Sequence, residues 1–263
     1  MARPVVALLT DFGLRDCYVG TMKGVVLSGC PDAMLVDITH DVPPHDVLAG
    51  ALELAAAYRH FPLGTVFLAV IDPGVGSSRR RLGVEGGGYR FVGPDNGVLS
   101  MALDDIGAYQ AVELADGGLP QQPASRTFEG RDWFGPAAAR LAAGAPLTDL
   151  GPRLDAIERL AAPKPRLLAA ATEGEVLRVD RFGNLITNLD QASIDHLQTR
   201  TLRVVVEDRV LNGLVSTYAD VGLGELCALF GSSGHLEIAR RGGSAALALG
   251  ARRGTIVRVL GPA

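Results

Sequence analysis

Apolar runs punctuate the first hundred or so residues in two alternating rhythms. VVALLT (5–10), AMLVDIT (33–39), TVFLAVID (65–72) and YRFVG (89–93) are short and rich in Val, Leu, Ile and Phe, which predicts strands. Between them, CYVGTMKGVVLSG (17–29) and HDVLAGALELAAAYRHF (45–61) repeat apolar residues at three and four, the spacing of one helical stripe. Strand, helix, strand, helix, strand predicts an α/β domain with a mostly parallel sheet and right-handed crossovers. A further helix is expected over DWFGPAAARLAAG (132–144).

The rhythm changes over residues 150 to 170, where proline enters and the helical stripe is lost, so a linker is expected there. Beyond it, EVLRVD, LITNL, TLRVVVED, GELCALF, HLEIA and TIVRVL are short strands separated by Gly, Asn and Asp turns. A smaller all-β domain, barrel-like or a sandwich, follows. The expected division is an α/β domain at 1–160 and a β-barrel domain at 170–263.

Bulk properties narrow the partners. The 263 residues carry a net charge of −4, and no basic run exceeds the short clusters at 79–81 and 252–253, which argues against nucleic acid. There is no charged segment leading into an apolar signal, and no apolar stretch approaches the roughly 18 residues of a membrane span. A soluble, cytoplasmic protein without membrane contact is expected. Cys17, Cys30 and Cys227 lack the spacing of a metal site or a thiol motif and read as small apolar residues.

Candidate chemistry gathers where the predicted strands end, the place where open α/β sheets bind ligands. Thr10, Asp11, Phe12 and Gly13 end the first strand, Asp37 to His40 the second, and Asp72, Pro73 and Gly74 the third. GPDNG adds Asp95 and Asn96. Each acid alone is equally a turn former or a helix cap. Together they describe a cleft of carboxylates and amides suited to hydroxyl groups and a cation. GVGSSR lacks the third glycine and the context of a dinucleotide loop, and no P-loop is present. DITHDVPPHD (37–46) has no metal-ligand pattern, so no metal is expected. Asp132 suits the cap of the 132–144 helix, while TFEG (127–130) precedes it as a loop. VDRFGNLITN (179–188) and FGSSGHLEIARRGG (230–243) are either hairpin turns or ligand loops.

The ordered motifs LLTDFGLRDCYVGTMKG, DITHDVPPHDVLAGA, FPLGTVFLAVIDPGVGSSRR, FVGPDNGVLS, TFEGRDWFGPAAA, DRFGNLITN and GSSGHLEIA span nearly the whole chain. In them the sequence resembles the S-adenosyl-L-methionine (SAM) hydrolases, or SAM hydroxide adenosyltransferases, whose relatives include the fluorinase and chlorinase. The resemblance implies an α/β domain followed by a β-barrel, a homotrimer with sites at subunit interfaces, SAM as substrate and no cofactor. It implies hydrolysis to adenosine and L-methionine by water attacking C5′ of the ribose. The departing thioether is neutral and needs no general acid; what is required is an in-line water and an acceptor for its proton.

By motif, Asp72 and Arg79 match two members of the hydrolases' Asp, Arg, His set, and Glu129 stands where the histidine is expected. Two facing carboxylates resist being charged together unless a cation compensates, with Arg79 or Arg131 as candidates. Water between Asp72 and Glu129, bridged by Arg79 with Asp72 as base, is the expected arrangement, and Arg80 and Arg81 read as solvent-facing or interface charges. Asp11 resembles the ribose-diol acid, and Asp16 and Asp180 match positions at the methionine ammonium. His45, Phe128 and Phe182 match ring positions around the ligand. Asn184, Ser232, Ser233, Arg240 and Gly242 match contacts to adenine or the amino acid. A halogenase is disfavoured because Asp72 would repel a halide where halogenases carry tyrosine, although Gly130 resembles the chlorinase's small residue. The alternative from another class is an adenosine- or SAM-binding protein without turnover.

Overall fold

Alternation along the central strands decides how the first half is built. In the computed structural model, which describes residues 3–115, 125–197 and 202–261, β1 (Val5–Thr10), α1 (Tyr18–Gly29), β2 (Met34–Thr39), α2 (Val47–Ala57) and β3 (Val66–Val70) follow in turn. Next come β4 (Arg81–Gly86), β5 (Tyr89–Pro94), α3 (Ser100–Ile106), β6 (Tyr109–Glu113), a π-helical turn at Gly130–Phe134, α4 (Gly135–Ala142) and β7 (Arg153–Leu154). Along β3, Val66, Leu68 and Val70 enter one core with Met22, Val26, Phe134 and Leu141, whereas Phe67, Ala69 and Ile71 enter another with Leu54, Leu99 and Leu103. Helices α1 and α4 therefore cover one face of the sheet, and α2 and α3 the other. A strand buried on both faces has no use for polar alternation, so VFLAV is an unbroken apolar run. Phe67 and Phe91 stack at 5.2 Å between ring centres inside the second core; truncating either to alanine costs about 3–5 kcal/mol.

The strand order is β2-β1-β3-β5-β4-β6-β7. Strands β2, β1, β3 and β5 pair in parallel, and β4, β6 and β7 join antiparallel. The expected mostly parallel sheet is thus a mixed one. Gly87 and Gly88, with φ of +60° and +80°, close a tight hairpin that turns β4 back along β5 and fixes the antiparallel pair. RLGVEG, with one arginine, one glutamate and two glycines, presents no apolar run that would mark β4 as a strand.

The chain divides into two compact units, Met1–Ala161 and Ala162–Ala263. Residues 156 to 160 belong with the first: Glu158 N–H donates to Asp95 and Leu160 N–H to Ser100 Oγ. The second unit holds β8 (Arg166–Leu168), β9 (Ala171–Val179), β10 (Leu185–Asp190), α5 (Gln191–Ile194), β11 (Arg203–Val206), β12 (Arg209–Asn212), β13 (Leu226–Phe230), β14 (His235–Arg240), α6 (Ala245–Leu249) and β15 (Ile256–Leu260). They form one antiparallel sheet, β12-β11-β15-β9-β10-β14-β13, with β8 on β9 and its two end strands drawn near each other into a nearly closed barrel. The long β9 makes this possible, pairing with β15 through its first half and with β10 through its second. Val176, Leu185, Val204, Ile238 and Val257 fill the interior. The stretch TLRVVVED, expected as one strand, instead ends β11 at Val206 and turns at Glu207, whose φ is +50°, into β12. Among the described residues no helix is long and apolar enough to cross a membrane.

Candidate active site

Asp72 inherits its position from β3. Counting on from Val66, Leu68 and Val70, its side chain falls on the face covered by α1 and α4, where the π-helical turn brings Glu129. Successive turns, Val75 N–H to Asp72 O at 3.2 Å and Ser77 N–H to Gly74 O at 3.1 Å, reverse the chain and return Arg79 onto Asp72. Gly76 sits at φ +77°, and a Cβ there would lie 2.9 Å from the carbonyl oxygen of Arg126, so only glycine lets the two loops lie together. Asn96 Nδ2 donates to Ile71 O at 2.8 Å and braces the backbone just before Asp72.

Arg79 is the bridge of the cluster. Its Nε donates to Asp72 Oδ1 at 2.8 Å, and its Nη2 contacts both Asp72 Oδ2 and Glu129 Oε2. Phe134 lies beneath the guanidinium, 5.4 Å from ring centre to Cζ. Burial would ease the proton off Arg79, but hydrogen bonds to Asp72 and then Glu129 outweigh it and hold its pKa above the ordinary value. The Asp72 and Glu129 side chains are only 5% and 3% exposed. Two buried carboxylates so close need more than one cation, and the second is Arg81, whose Nη2 donates to Glu129 Oε1 at 2.5 Å. This corrects the expectation that Arg81 faces solvent and that Arg131 compensates. Arg131 is taken by Asp132, through Nε at 2.7 Å, and lies over Phe128. Asp132 caps no helix; that ion pair, with a bond from Ser125 N–H, holds its carboxyl below the ordinary range. Arg80 is likewise not a free charge, since its Nε donates to the buried Asp95 at 2.7 Å.

The remaining strand-end acids separate into braces and open groups. Asp37 contacts Lys23 at 2.7 Å and His40 at 3.0 Å, and Asp95 also accepts from Glu158 N–H, so both serve the fold. Asp11 Oδ2 accepts from His45 N–H at 2.8 Å, with His45 at φ +67° and its side chain exposed. Asp16 is exposed on the loop before α1. Phe128 is half-buried and meets Tyr18 edge-on at 5.1 Å and Phe12 at 6.2 Å.

In the second unit, the β9–β10 turn is organised by Asp180. Its Oδ1 accepts from Phe182 N–H and Asn184 N–H, its Oδ2 from Asn184 Nδ2 at 3.0 Å. This leaves Phe182 77% exposed at the tip. Arg240 Nε donates to Gly224 O at 2.8 Å, and Gly242 follows it at φ +71°. Since β10 and β14 run antiparallel, that turn and Arg240 share one end of the pair. Ser232 and Ser233 lie in the β13–β14 turn at the opposite end, Ser232 exposed and the Ser233 hydroxyl buried without a hydrogen-bond partner.

The description of the SAM hydroxide adenosyltransferase N-terminal domain matches residues 6–151, and that of its C-terminal domain residues 174–258. The chain belongs to the SAM hydroxide adenosyltransferase family. It is 41% identical to an (R)-S-adenosyl-L-methionine hydrolase of Salinispora tropica, covering 97% of each chain. It is also 41% identical to one of Thermus thermophilus, over 98% of this chain and all of that one. A fluorinase of Nocardia brasiliensis is 33% identical over 98% of this chain and 97% of its own. A solved structure from Thermotoga maritima superposes with a TM-score of 0.90 at 36% identity, covering 97% of this chain and 99% of that one.

Within this family member, Asp72, Arg79 and Glu129 meet in one buried cluster, and the other site residues fall into local groups around Asp11 and Asp180 and along β14. Arg81, expected to face solvent, joins the cluster, and Asn96, one of the expected strand-end residues, braces its backbone. A signal for Arg81 was present: in an extended segment, residues two apart share a side, so Arg79 and Arg81 point together while Arg80 turns away. Among the described residues no three His, Cys, Asp or Glu side chains gather as metal ligands.

Proposed function

We propose that this protein hydrolyses (R)-S-adenosyl-L-methionine, consuming one water and giving adenosine, L-methionine and a proton. The observation that carries the proposal is the arginine-bridged pair of buried carboxylates, Asp72 and Glu129, at the carboxyl end of β3 in a member of this family. Attack by water on C5′ forms a carbon–oxygen bond as the carbon–sulfur bond breaks, and the electron pair leaves on a neutral sulfur. The water becomes a protonated alcohol, a strong acid, so a carboxylate is base enough. Asp72 takes that proton, Arg79 fixes its orientation, and Glu129 holds the water from the other side. Asp72 also disfavours the halogenase reaction, because a desolvated halide would be repelled by the carboxylate.

Asp11 accepts from the ribose hydroxyls, and Asp16 and Asp180 from the methionine ammonium. Phe128, Phe182 and His45 surround the ligand, and Asn184, Ser232, Ser233, Arg240 and Gly242 contact adenine or the amino acid. The exposure of Asp16, His45 and Phe182 in one chain suits a homotrimer whose sites are completed by a neighbouring copy. No cofactor is needed, since the sulfonium already activates the carbon.

The test is incubation of purified protein with each sulfonium epimer in heavy-oxygen water, with chelator present. Adenosine labelled at the 5′ hydroxyl plus methionine, from the R epimer preferentially, is expected. Tight binding without product would instead make it a binding protein, and a 5′-halogenated nucleoside on adding halide would make it a halogenase.

A further inference from the structure

Arg81 has no place in the reaction just described, yet it is built into the cluster. Its guanidinium lies 4.4 Å from the ring centre of Trp133, its Nη2 donates to Glu129, and its Nε is buried without a partner. The charged groups that face Glu129 are Arg79, from the loop after β3, with Asp72 beyond it, and Arg81 at the start of β4. Arg131, two residues further along the π-helical turn, is turned to Asp132. With Arg79 alone, two carboxylates 5% and 3% exposed would share one cation.

We propose that Arg81 is a positioning residue of this site, holding Glu129 as the second carboxylate facing Arg79 and bringing Asp72, Arg79, Glu129 and Arg81 to zero net charge. A histidine at position 129 would carry no fixed charge and would need no such partner. The glutamate and the additional arginine are therefore one device. Its kinetic consequence rests on the hydrolase reading, but the charge balance does not.

Arg81→Gln removes the cation and leaves two buried carboxylates against one guanidinium. The folded variant then favours a proton on one of them, and a proton held more tightly in the folded state than in the unfolded one costs stability as pH rises. The melting temperature of Arg81→Gln should therefore fall behind the parent by about 6–12 °C more at about pH 8 than at about pH 5. That pH-dependent deficit should disappear in the double variant Arg81→Gln/Glu129→Gln. Arg81→Lys keeps the charge without the flat contact on Trp133 and should keep the parent's pH dependence. In the hydrolysis assay, kcat of Arg81→Gln should drop at least about tenfold with its acid limb displaced upward by about one pH unit, while KM stays within about threefold. A deficit equal at every pH, or one unchanged in the double variant, overturns the proposal. Because the thermal arm needs no substrate, a parent protein that fails to hydrolyse SAM would refute the hydrolase reading alone.

Discussion

Asp72→Asn probes the cluster with the least change of shape. The amide exchanges one acceptor oxygen for a donor NH2, which must face either Arg79 Nε, 2.8 Å from Oδ1, or Arg79 Nη2. At least one charge-assisted hydrogen bond is lost, a contribution of about 1.5–3 kcal/mol. Removing one partner of a buried ion pair costs about 3–5 kcal/mol. Arg79 retains Glu129, so the lower end applies, and a loss of about 3 kcal/mol of stability is expected. In the proposed reaction the water loses its proton acceptor, an effect of roughly 10²- to 10⁴-fold in kcat, or about 3–5 kcal/mol of barrier at about 1.36 kcal/mol per tenfold. KM should change far less, because the proposed arrangement assigns the nucleoside and amino-acid arms of the substrate to other residues. Denaturant unfolding would establish that the variant is folded, and chromatography of adenosine under substrate saturation would give kcat. A folded Asp72→Asn protein within about threefold of the parent's kcat would remove Asp72 from the chemical step.

Glu129→Gln keeps an acceptor for the water but leaves Arg81 without its anion; kcat should fall roughly 10- to 100-fold, and unchanged hydrolysis measured by the same chromatography would exclude Glu129 from the mechanism. Gly76→Ala forces a side chain onto φ +77° and its Cβ to 2.9 Å from Arg126 O, so a loss of about 2 kcal/mol is expected in urea unfolding, with activity lower because the Asp72–Arg79 turn is displaced. Asp132→Asn tests a pH dependence. The Arg131 hydrogen bond holds the Asp132 carboxyl below its ordinary value of 3.8, so its contribution is present above that value and is lost as pH falls through the depressed folded value. The melting temperature of Asp132→Asn should therefore trail the parent at neutral pH and converge with it in acid; a constant gap would count against the ion pair.

What the sequence revealed of the fold depended on burial. β1, β3 and β5 are covered on both faces, so their apolar runs stand out against the helices between them. β4 and β6 carry Glu85, Gln110 and Glu113 and hide in polar context. Their omission turned a mixed sheet into a mostly parallel one. The hairpin at Glu207 escaped because no glycine marks it. Within the cluster, the residues of the candidate site were legible by type, but their partners were not. The run Arg79, Arg80, Arg81 sets its outer two on one side and the middle one on the other, but it does not name their partners, Asp95 for Arg80 and Asp72 and Glu129 for its neighbours. That follows from the extended backbone entering β4 and from the loop that brings Glu129 to it.

The charge balance of the cluster has a kinetic meaning in the proposed reaction. Water is neutral and the sulfonium is positive, so bond formation moves positive charge from sulfur toward the attacking oxygen. Groups near the water that tolerate positive charge lower the barrier, whereas excess negative charge near sulfur would mainly stabilise the bound substrate. Asp72 and Glu129 supply acceptors at the oxygen, while Arg79 and Arg81 cancel the net field that two bare carboxylates would extend to the sulfonium. A halide reverses this logic, because it arrives negative and becomes neutral. For an anionic nucleophile, the acceptor oxygens that orient water are a barrier to entry, and two arginines committed to those carboxylates have little attraction to spare for it. The same four side chains that suit a neutral nucleophile thus disfavour a charged one.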